Sequence, residues 1–577
     1  MGSGRDKRKK AKGSTTAGKG AEKTARKSEK NAAKADRRAE RAAKGGDDDI
    51  DALLAQFDLE DKAKTSVKVV EDARPSARVY ATLVPIPPAA MAAAAKLGGG
   101  RPRPASASGS PTDLLLFGGE WLDRKTDKTY TYSEVHVFDS RSSRWAEVRT
   151  PHSPPPRSSH QAVSTRGAMY VFGGEFTSRN GDTFKHYGDL WRLDWATWTW
   201  EQLPSRGGPS ARSGHRCVVA PGGGKFYLFG GFYDTGRETR YYNDLWSYDL
   251  EEMRWECLGP LPGQVSPPPR GGCQLVAHGR SLFVIGGFSV VKRPPAVDSR
   301  AAAAAGGKKP RPKRSAAAFD SDSEDDGAKG VVHDDVWAFD LDAGTWERVK
   351  KAGMAPNPRT SFGVVTHRDR AVLFGGVLDR EGGGDRIYSE LFNELYQFDL
   401  VKRRWFPLAL RPKKKKKAKG GAADEDDEEA DGAATKAGPA PADMTPEQQA
   451  LHRAATRIQA HFRGFAVRKA MRTYRVGGKV SELLYSPATV GIDWSSKDIV
   501  RPRARAAPLM AVLKNTLWLL GGVVEVAHTD VVLDDMWSLD ISKMDGWECV
   551  AENTTGEDEF EEDQWESGDD DDDEDDE

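Results

Sequence analysis

Short apolar runs, each broken by a Gly-Gly pair, recur along this 577-residue chain. The pairs are Gly118-Gly119, Gly173-Gly174, Gly230-Gly231, Gly286-Gly287, Gly375-Gly376 and Gly521-Gly522. The first four lie 55, 57 and 56 residues apart. In the third unit an apolar run at Cys217–Ala220 meets a turn at Pro221–Gly224. Lys225–Phe229 follows and ends at the Gly pair; Leu245–Asp249 then alternates apolar and polar, and Trp255–Leu258 closes the unit. Runs of this length, bounded by Gly, Pro, Asn and Asp, predict antiparallel strands. Val135–Asp139, Leu190–Asp194, Val336–Asp340, Leu395–Asp399 and Met536–Asp540 repeat the alternating run. Trp145, Trp200, Trp255, Trp346, Trp405 and Trp547 take the closing position. A lone four-stranded sheet cannot bury both faces, so the units must stack. A period near 50 with four strands per unit predicts an all-β, six-bladed propeller. The Gly pairs leave room for close backbone approach and positive φ. Each closing Trp is expected to lay its face on the next blade.

The Gly-Gly pair, the Asn-Asp-Leu-Trp run at Asn243–Trp246 and the closing Trp resemble the Kelch repeat. More narrowly, Ile50–Phe57, Pro154–Gln161, Phe172–Phe176 with His186–Trp191, and Tyr241–Asp244 resemble the Kelch domain-containing protein 4 family. That resemblance covers roughly 47–405 and implies a propeller, not an established activity.

The spacing divides the chain. A basic arm spans 1–46: Arg5–Lys44 holds sixteen Lys/Arg against five Asp/Glu. A short amphipathic helix is expected at 47–64, with Ile50, Leu53, Leu54 and Phe57 on one face. Blades one to five occupy 74–410, with an insertion at 291–330. A charged low-complexity linker follows at 411–443, then an IQ-motif helix at 444–476 and blade six at 495–551. An acidic tail ends the sequence at 552–577; Gly556–Glu577 holds sixteen acids and no base. Arm, insertion and tail are expected to be disordered, since blocks of like charge repel. A net charge of −1 therefore conceals strong polarity.

The four cysteines, Cys217, Cys257, Cys273 and Cys549, lack metal-ligand spacing. They read as buried, reduced thiols in blade strands. No apolar leader and no membrane-length apolar run is visible, which predicts a cytoplasmic or nuclear protein without a membrane partner. The insertion carries a basic patch at Lys308–Arg314 and an acidic run around Ser321 and Ser323, read either as an import signal with a kinase target or as a solvated loop.

Thr445, Pro446 and Gln448 form a helix start. Ile458, Gln459, Arg463, Gly464 and Arg468 then match the IQ pattern IQxxxRGxxxR at every defining position. Ile458, Phe462, Phe465 and Met471 fall along one helical face, ringed by cations. That resemblance implies calmodulin or a calmodulin-like protein as partner, gripping the helix with an apolar groove in an acidic surface. The alternative is a basic helix that packs on the propeller or on the chain's own acids.

Arg157, Arg270, Arg359 and Arg505 each lie 16 residues before a Gly pair, Arg212 lies 18 before, and Arg78 is the first unit's equivalent. They are expected on one propeller face, binding an acidic peptide through guanidinium forks, or else bonded to acids and carbonyls of the fold. Ser158, Ser213, His160 and His215 stand nearby. No cofactor, metal or catalytic constellation is apparent, so the chain reads as a non-enzymatic interaction scaffold. Two other readings remain: a substrate-recognition subunit of a ubiquitin ligase, though no BTB or F-box module is visible, and a ribonucleoprotein-associated factor. The second would bind nucleic acid through the arm, which lacks the interleaved aromatics of a sequence reader.

Overall fold

The structure, a computed structural model, describes residues 50–88, 90, 93, 96, 113–123, 126, 128–181, 183–235, 238–292, 328–381, 387–410, 500–526 and 529–555. The basic arm, the IQ segment and Gly556–Glu577 lie outside them. Two compact units divide the chain: 1–219 with 223–257, and 220–222 with 258–577. The first holds blades one to three and the second blades four to six, the six propeller blades that the repeats predict.

Each blade is an antiparallel sheet built from one stretch of chain, four-stranded in blades two to six and five-stranded in blade one. In the second blade these strands are Gln161–Ser164, Ala168–Phe172, Leu190–Asp194 and Trp200–Leu203, in that order across the sheet. Between the second and third strands a two-stranded hairpin projects past the Gly pair, here Glu175–Thr177 with Phe184–His186. Hairpins at Glu120–Asp123 with Lys128–Thr131, and Phe232–Asp234 with Thr239–Tyr241, mark blades one and three. In blade six the hairpin is continuous with its sheet through Thr516–Val526 and Thr529–Asp540.

The second strands carry the core of each blade: Leu114, Leu116, Phe117, Met169, Leu228, Val284, Phe374 and Leu519 are all fully buried. Three closing tryptophans pack on the preceding blade, not the next as expected, while Trp145, Trp346 and Trp405 lie against Phe138, Phe339 and Phe398 of their own blades. Trp200 lies 5.2 Å from Phe117, Trp255 5.3 Å from Phe172, and Trp547 5.5 Å from Phe374. A fourth strand lies at its sheet's edge, so its large side chain reaches back across the neighbour already laid down by the chain.

The N-terminal helix spans Ile50–Lys62, inside the expected 47–64. Ile50, Leu53, Leu54 and Phe57 are half-buried. Asp61 fixes the helix to blade one, accepting from Ser153 N at 3.2 Å and Ser153 Oγ at 2.6 Å. Lys68–Glu71 then pairs antiparallel with Arg144–Arg149 and covers that sheet edge, a common device against edge-to-edge association.

Two expectations need correction. The insertion is not 291–330: Phe288–Lys292 pairs with Ala328–Val332, because the β-rich ends of the excess continue the hairpin, leaving 293–327 beyond it. Nor are the four cysteines uniformly buried. Cys257 and Cys549 are exposed on outer strands, whose alternate positions face solvent, Cys217 is half-buried, and buried Cys273 precedes its strand rather than lying within it. No described helix is long and apolar enough to cross a membrane.

At Gly174, φ is +90°, and a Cβ there would stand 2.6 Å from Ser158 O. At Gly222, φ is +104° but nothing lies within 4 Å. Both Gly174→Ala and Gly222→Ala are expected to incur backbone strain of about 1–3 kcal/mol. Only Gly174→Ala adds the collision, so its chemical-denaturation midpoint should fall clearly further.

Candidate interaction surface

The six arginines do not form a ligand face. Arg157, Arg212, Arg270 and Arg505 are at most 1% exposed, Arg359 2% and Arg78 4%. Arg157 shows why. Its Nη1 donates to Gly173 O at 3.0 Å and Asp189 Oδ1 at 2.8 Å, Nη2 to Asp189 Oδ2 at 3.1 Å, and Nε to Pro155 O at 3.1 Å. Tyr187 covers the guanidinium, its ring centroid 4.3 Å away. The same set recurs as Arg78–Gly118–Glu134, Arg212–Gly230–Asp244, Arg270–Gly286–Asp335, Arg359–Gly375–Glu394 and Arg505–Gly521–Asp535. With their donors already engaged, these cations are structural. The acid is shared with an indole: Trp191 Nε1 donates to Asp189 Oδ2 at 2.7 Å. Burial pushes the Asp189 carboxyl up, but Arg157 outweighs it and holds the group below the ordinary carboxylate value.

The neighbouring histidines are structural too. His160 Nε2 lies 3.0 Å from Thr82 Oγ1. Burial, then the Arg157 charge, pushes its pKa down to about 3, and His215 is likewise driven well below the ordinary value. Both rings are neutral. Ser158 and Ser213, by contrast, support a polar layer under the hairpins.

Three hairpins of the first unit join into a collar. Thr129 N donates to Arg179 O at 2.7 Å between hairpins one and two. Asp234 N donates to His186 Nε2 at 3.0 Å between two and three. Since Nε2 accepts, the ring proton sits on Nδ1, 2.8 Å from Ser213 Oγ and 3.3 Å from Glu175 Oε2. Glu120 accepts from Ser158 Oγ at 2.8 Å and Thr177 Oγ1 at 3.2 Å. Burial, then the Glu120 charge, pushes the Glu175 carboxyl up to about 7. Blades three to six place Phe232, Phe288, Val377 and Val523 at the register position of Glu120 and Glu175, so this layer is particular to the first two blades.

Above the layer the collar exposes rings. Trp121 stacks on Tyr130 at 5.9 Å, and the Arg179 guanidinium lies 5.9 Å from Tyr130. Phe184 is 42% exposed and Tyr233 36%, with exposed Arg240 lying 5.3 Å from the Tyr242 ring. Tyr80 is 43% exposed at φ +54°, where the equivalent positions of the next two blades hold Ser159 and Gly214. Gly272, Ser361 and Ala507 also take the left-handed region at this position, so the conformation belongs to the repeat and Tyr80 differs by its exposed ring. These aromatics escape a repeat-based reading because the hairpins differ from blade to blade; alternating rings just after each Gly pair were the available signal.

The predicted calmodulin residues Ile458, Gln459, Phe462, Arg463, Gly464, Phe465, Arg468 and Met471 lie outside the described residues. Their insert leaves the fifth blade after Leu410 and returns at Val500. Among the described residues, no group of three or more His, Cys, Asp or Glu is placed to hold a metal ion.

Residues 103–293 match the family described as the KLHDC2/KLHL20/DRC7 Kelch-repeats domain, and 452–472 match the IQ calmodulin-binding motif. The chain is 25% identical over 283 residues to Kelch domain-containing protein 3 of Homo sapiens, covering 48% of this chain and 61% of that protein. It is 26% identical over 264 residues to host cell factor 1 of Homo sapiens, covering 42% and 11%. It is 32% identical over 177 residues to acyl-CoA-binding domain-containing protein 4 of Arabidopsis thaliana, covering 30% and 24%. The chain thus spans less than two thirds of the length of each of these relatives.

A carboxyl raised from 4.5 to about 7 favours the folded state most below pH 4.5, and that contribution is lost as pH rises through 7. Glu175→Gln should therefore flatten stability between pH 5 and 8. At pH 8 it should gain on the order of 3 kcal/mol over wild type, measured by urea denaturation across that range.

Proposed function

We propose that this chain, a six-bladed Kelch propeller carrying an IQ motif, is a protein-interaction scaffold with two distinct binding elements. One is the collar of the first unit, and the observation that carries it is a row of part-exposed rings held over a hydrogen-bonded polar base. Aromatic and Arg side chains are the groups that anchor protein interfaces. The collar's exposed cations, Lys185 and Arg240, fit an acidic peptide that also carries apolar residues. The acidic-peptide reading therefore moves from the buried arginines to the collar.

The other element is the IQ segment, with calmodulin as its partner. Ile458 supplies an apolar anchor, Gln459 a polar one, and Arg463 and Arg468 face the partner's acids. Recognition of a basic amphipathic helix by an acid-rimmed apolar groove needs these groups together.

Calorimetry of the full chain against calmodulin, with and without calcium, tests this second element. Binding is expected, and Ile458→Ala with Gln459→Ala should weaken it at least tenfold, about 1.4 kcal/mol. Equal binding by the variant would exclude the IQ segment as the site.

A further inference from the structure

The sixth blade brings the points of attachment of two strongly charged stretches of the chain to one place. Ala506, where the insert has just re-entered the fold, pairs with Val523 through bonds of 2.8 Å in both directions. Val523 is the register partner of Val532. Val532 O in turn accepts from Thr555 Oγ1 at 2.6 Å. Thr554 N and Oγ1 hold the Asp534 carboxylate at 2.7 and 2.6 Å, fixing the course of the chain just before residue 556. Ala506, Val523, Val532 and Thr555 therefore stand abreast, so entry and exit are about three inter-strand spacings, ~15 Å, apart.

The fifth blade releases the insert at the same end. Leu408 N donates to Leu395 O at 2.9 Å, and Leu395 pairs with Phe374, the residue before the Gly pair. The insert thus begins and ends at the Gly-Gly end of its two blades, and the stretch 556–577 starts there too.

Their charges are opposite. Residues 452–472 contain six Lys/Arg and no acid, and 556–577 contain sixteen acids and no base. Phe560 and Trp565 lie among those acids, as apolar groups lie among the acids of a calmodulin-type surface. A 22-residue chain reaches up to about 70 Å, several times the ~15 Å between the anchor points.

From this placement we propose that residues 556–577 are an intramolecular competitor for calmodulin at the IQ segment. This rests on the reading of 452–472 as a calmodulin-binding segment. Tethering puts the acidic stretch at an effective concentration in the millimolar range, so an intrinsic dissociation constant of about 0.1 mM suffices to weaken calmodulin roughly tenfold. The competition is electrostatic and is screened by salt.

The experiment uses three forms of the full chain: wild type, one ending at Thr555, and one with every acid of 556–577 replaced by its amide. Calmodulin affinity is measured by calorimetry at low and high salt. In parallel, carboxylate-to-amine zero-length cross-linking without calmodulin is mapped by mass spectrometry. The truncated and neutralised forms should bind calmodulin at least tenfold more tightly at low salt, with the gap closing at high salt. Wild type should cross-link 557–577 to Lys469, and added calmodulin should remove that link. Equal affinity in all three forms overturns the competition while leaving the IQ reading intact, as do cross-links running only to Lys7–Lys44 of the basic arm. If no form binds calmodulin, the IQ reading fails and the competition fails with it. A link to Lys469 would then show that the two stretches meet for another purpose.

Discussion

The blades depend on one buried ion pair repeated six times. Each guanidinium donates to the first glycine's carbonyl in its own blade and to an acid just before the third strand, or, in blade six, within it at Asp535. Where it is seen most fully, the same arginine's backbone carbonyl receives the second glycine of the preceding blade: Gly119 N to Arg157 O, Gly174 N to Arg212 O and Gly376 N to Arg505 O, all at 2.9 Å. One residue thus fixes the turn within its blade by its side chain and the joint to the blade before by its main chain. Breaking a buried pair by removing one partner leaves an uncompensated charge and costs about 3–5 kcal/mol. That cost applies at each position, so function cannot draw on these arginines without loosening the sheet that presents them.

This assigns the two ends of each unit different work. The Gly-Gly end carries the locked Arg, Asp and glycine set, and beyond it the hairpins stand clear of the sheet core. A hairpin can change its side chains, lengthen or accept an insertion with little effect on the burial of Leu114, Met169 or Leu228 beneath it. Binding residues gather on loops held by a rigid scaffold for this reason. In the first unit that freedom is used for rings over a polar layer. Its cost is visible in Glu175, whose carboxyl is kept under strain by burial and by Glu120.

Much of the fold was legible because its constraints are local. A Gly pair that tolerates no Cβ and a large closing Trp survive as letters at fixed spacing, and they place all six blades. The arginines were equally legible as a repeat, but not their role. Arg157 meets its acid 32 residues away and Arg270 65 residues away, across an insertion that hides the regularity. A signal was present: each arginine is matched by an acid before the third strand, Glu134, Asp189, Asp244, Asp335 and Glu394, or within it, Asp535. In three blades a tyrosine lies two residues earlier, Tyr132, Tyr187 and Tyr242. Periodic cation matched by periodic acid means structure, whereas a binding charge has its partner outside the chain. The collar was hidden for the converse reason, since it consists of what the repeats do not share.

The same logic explains where the charged stretches sit. Residues 293–327 hang from the hairpin of the fourth blade, closed at Lys292 and Ala328. Residues 411–499 hang between blades five and six, and 556–577 follow the last strand of blade six. All three leave the second unit at its Gly-Gly end. Closing a longer loop costs only about 0.6 kcal/mol for each doubling of its length, so length alone does not oppose such insertions. What would oppose them is a break in the Arg-locked sheet, and none of the three interrupts one. A fold of this kind therefore collects the attachment points of its charged additions at one end, whatever first brought each of them there. The basic insert and the acidic terminal stretch need no dedicated interface to act on one another, because the strand order of a single blade sets their points of attachment side by side.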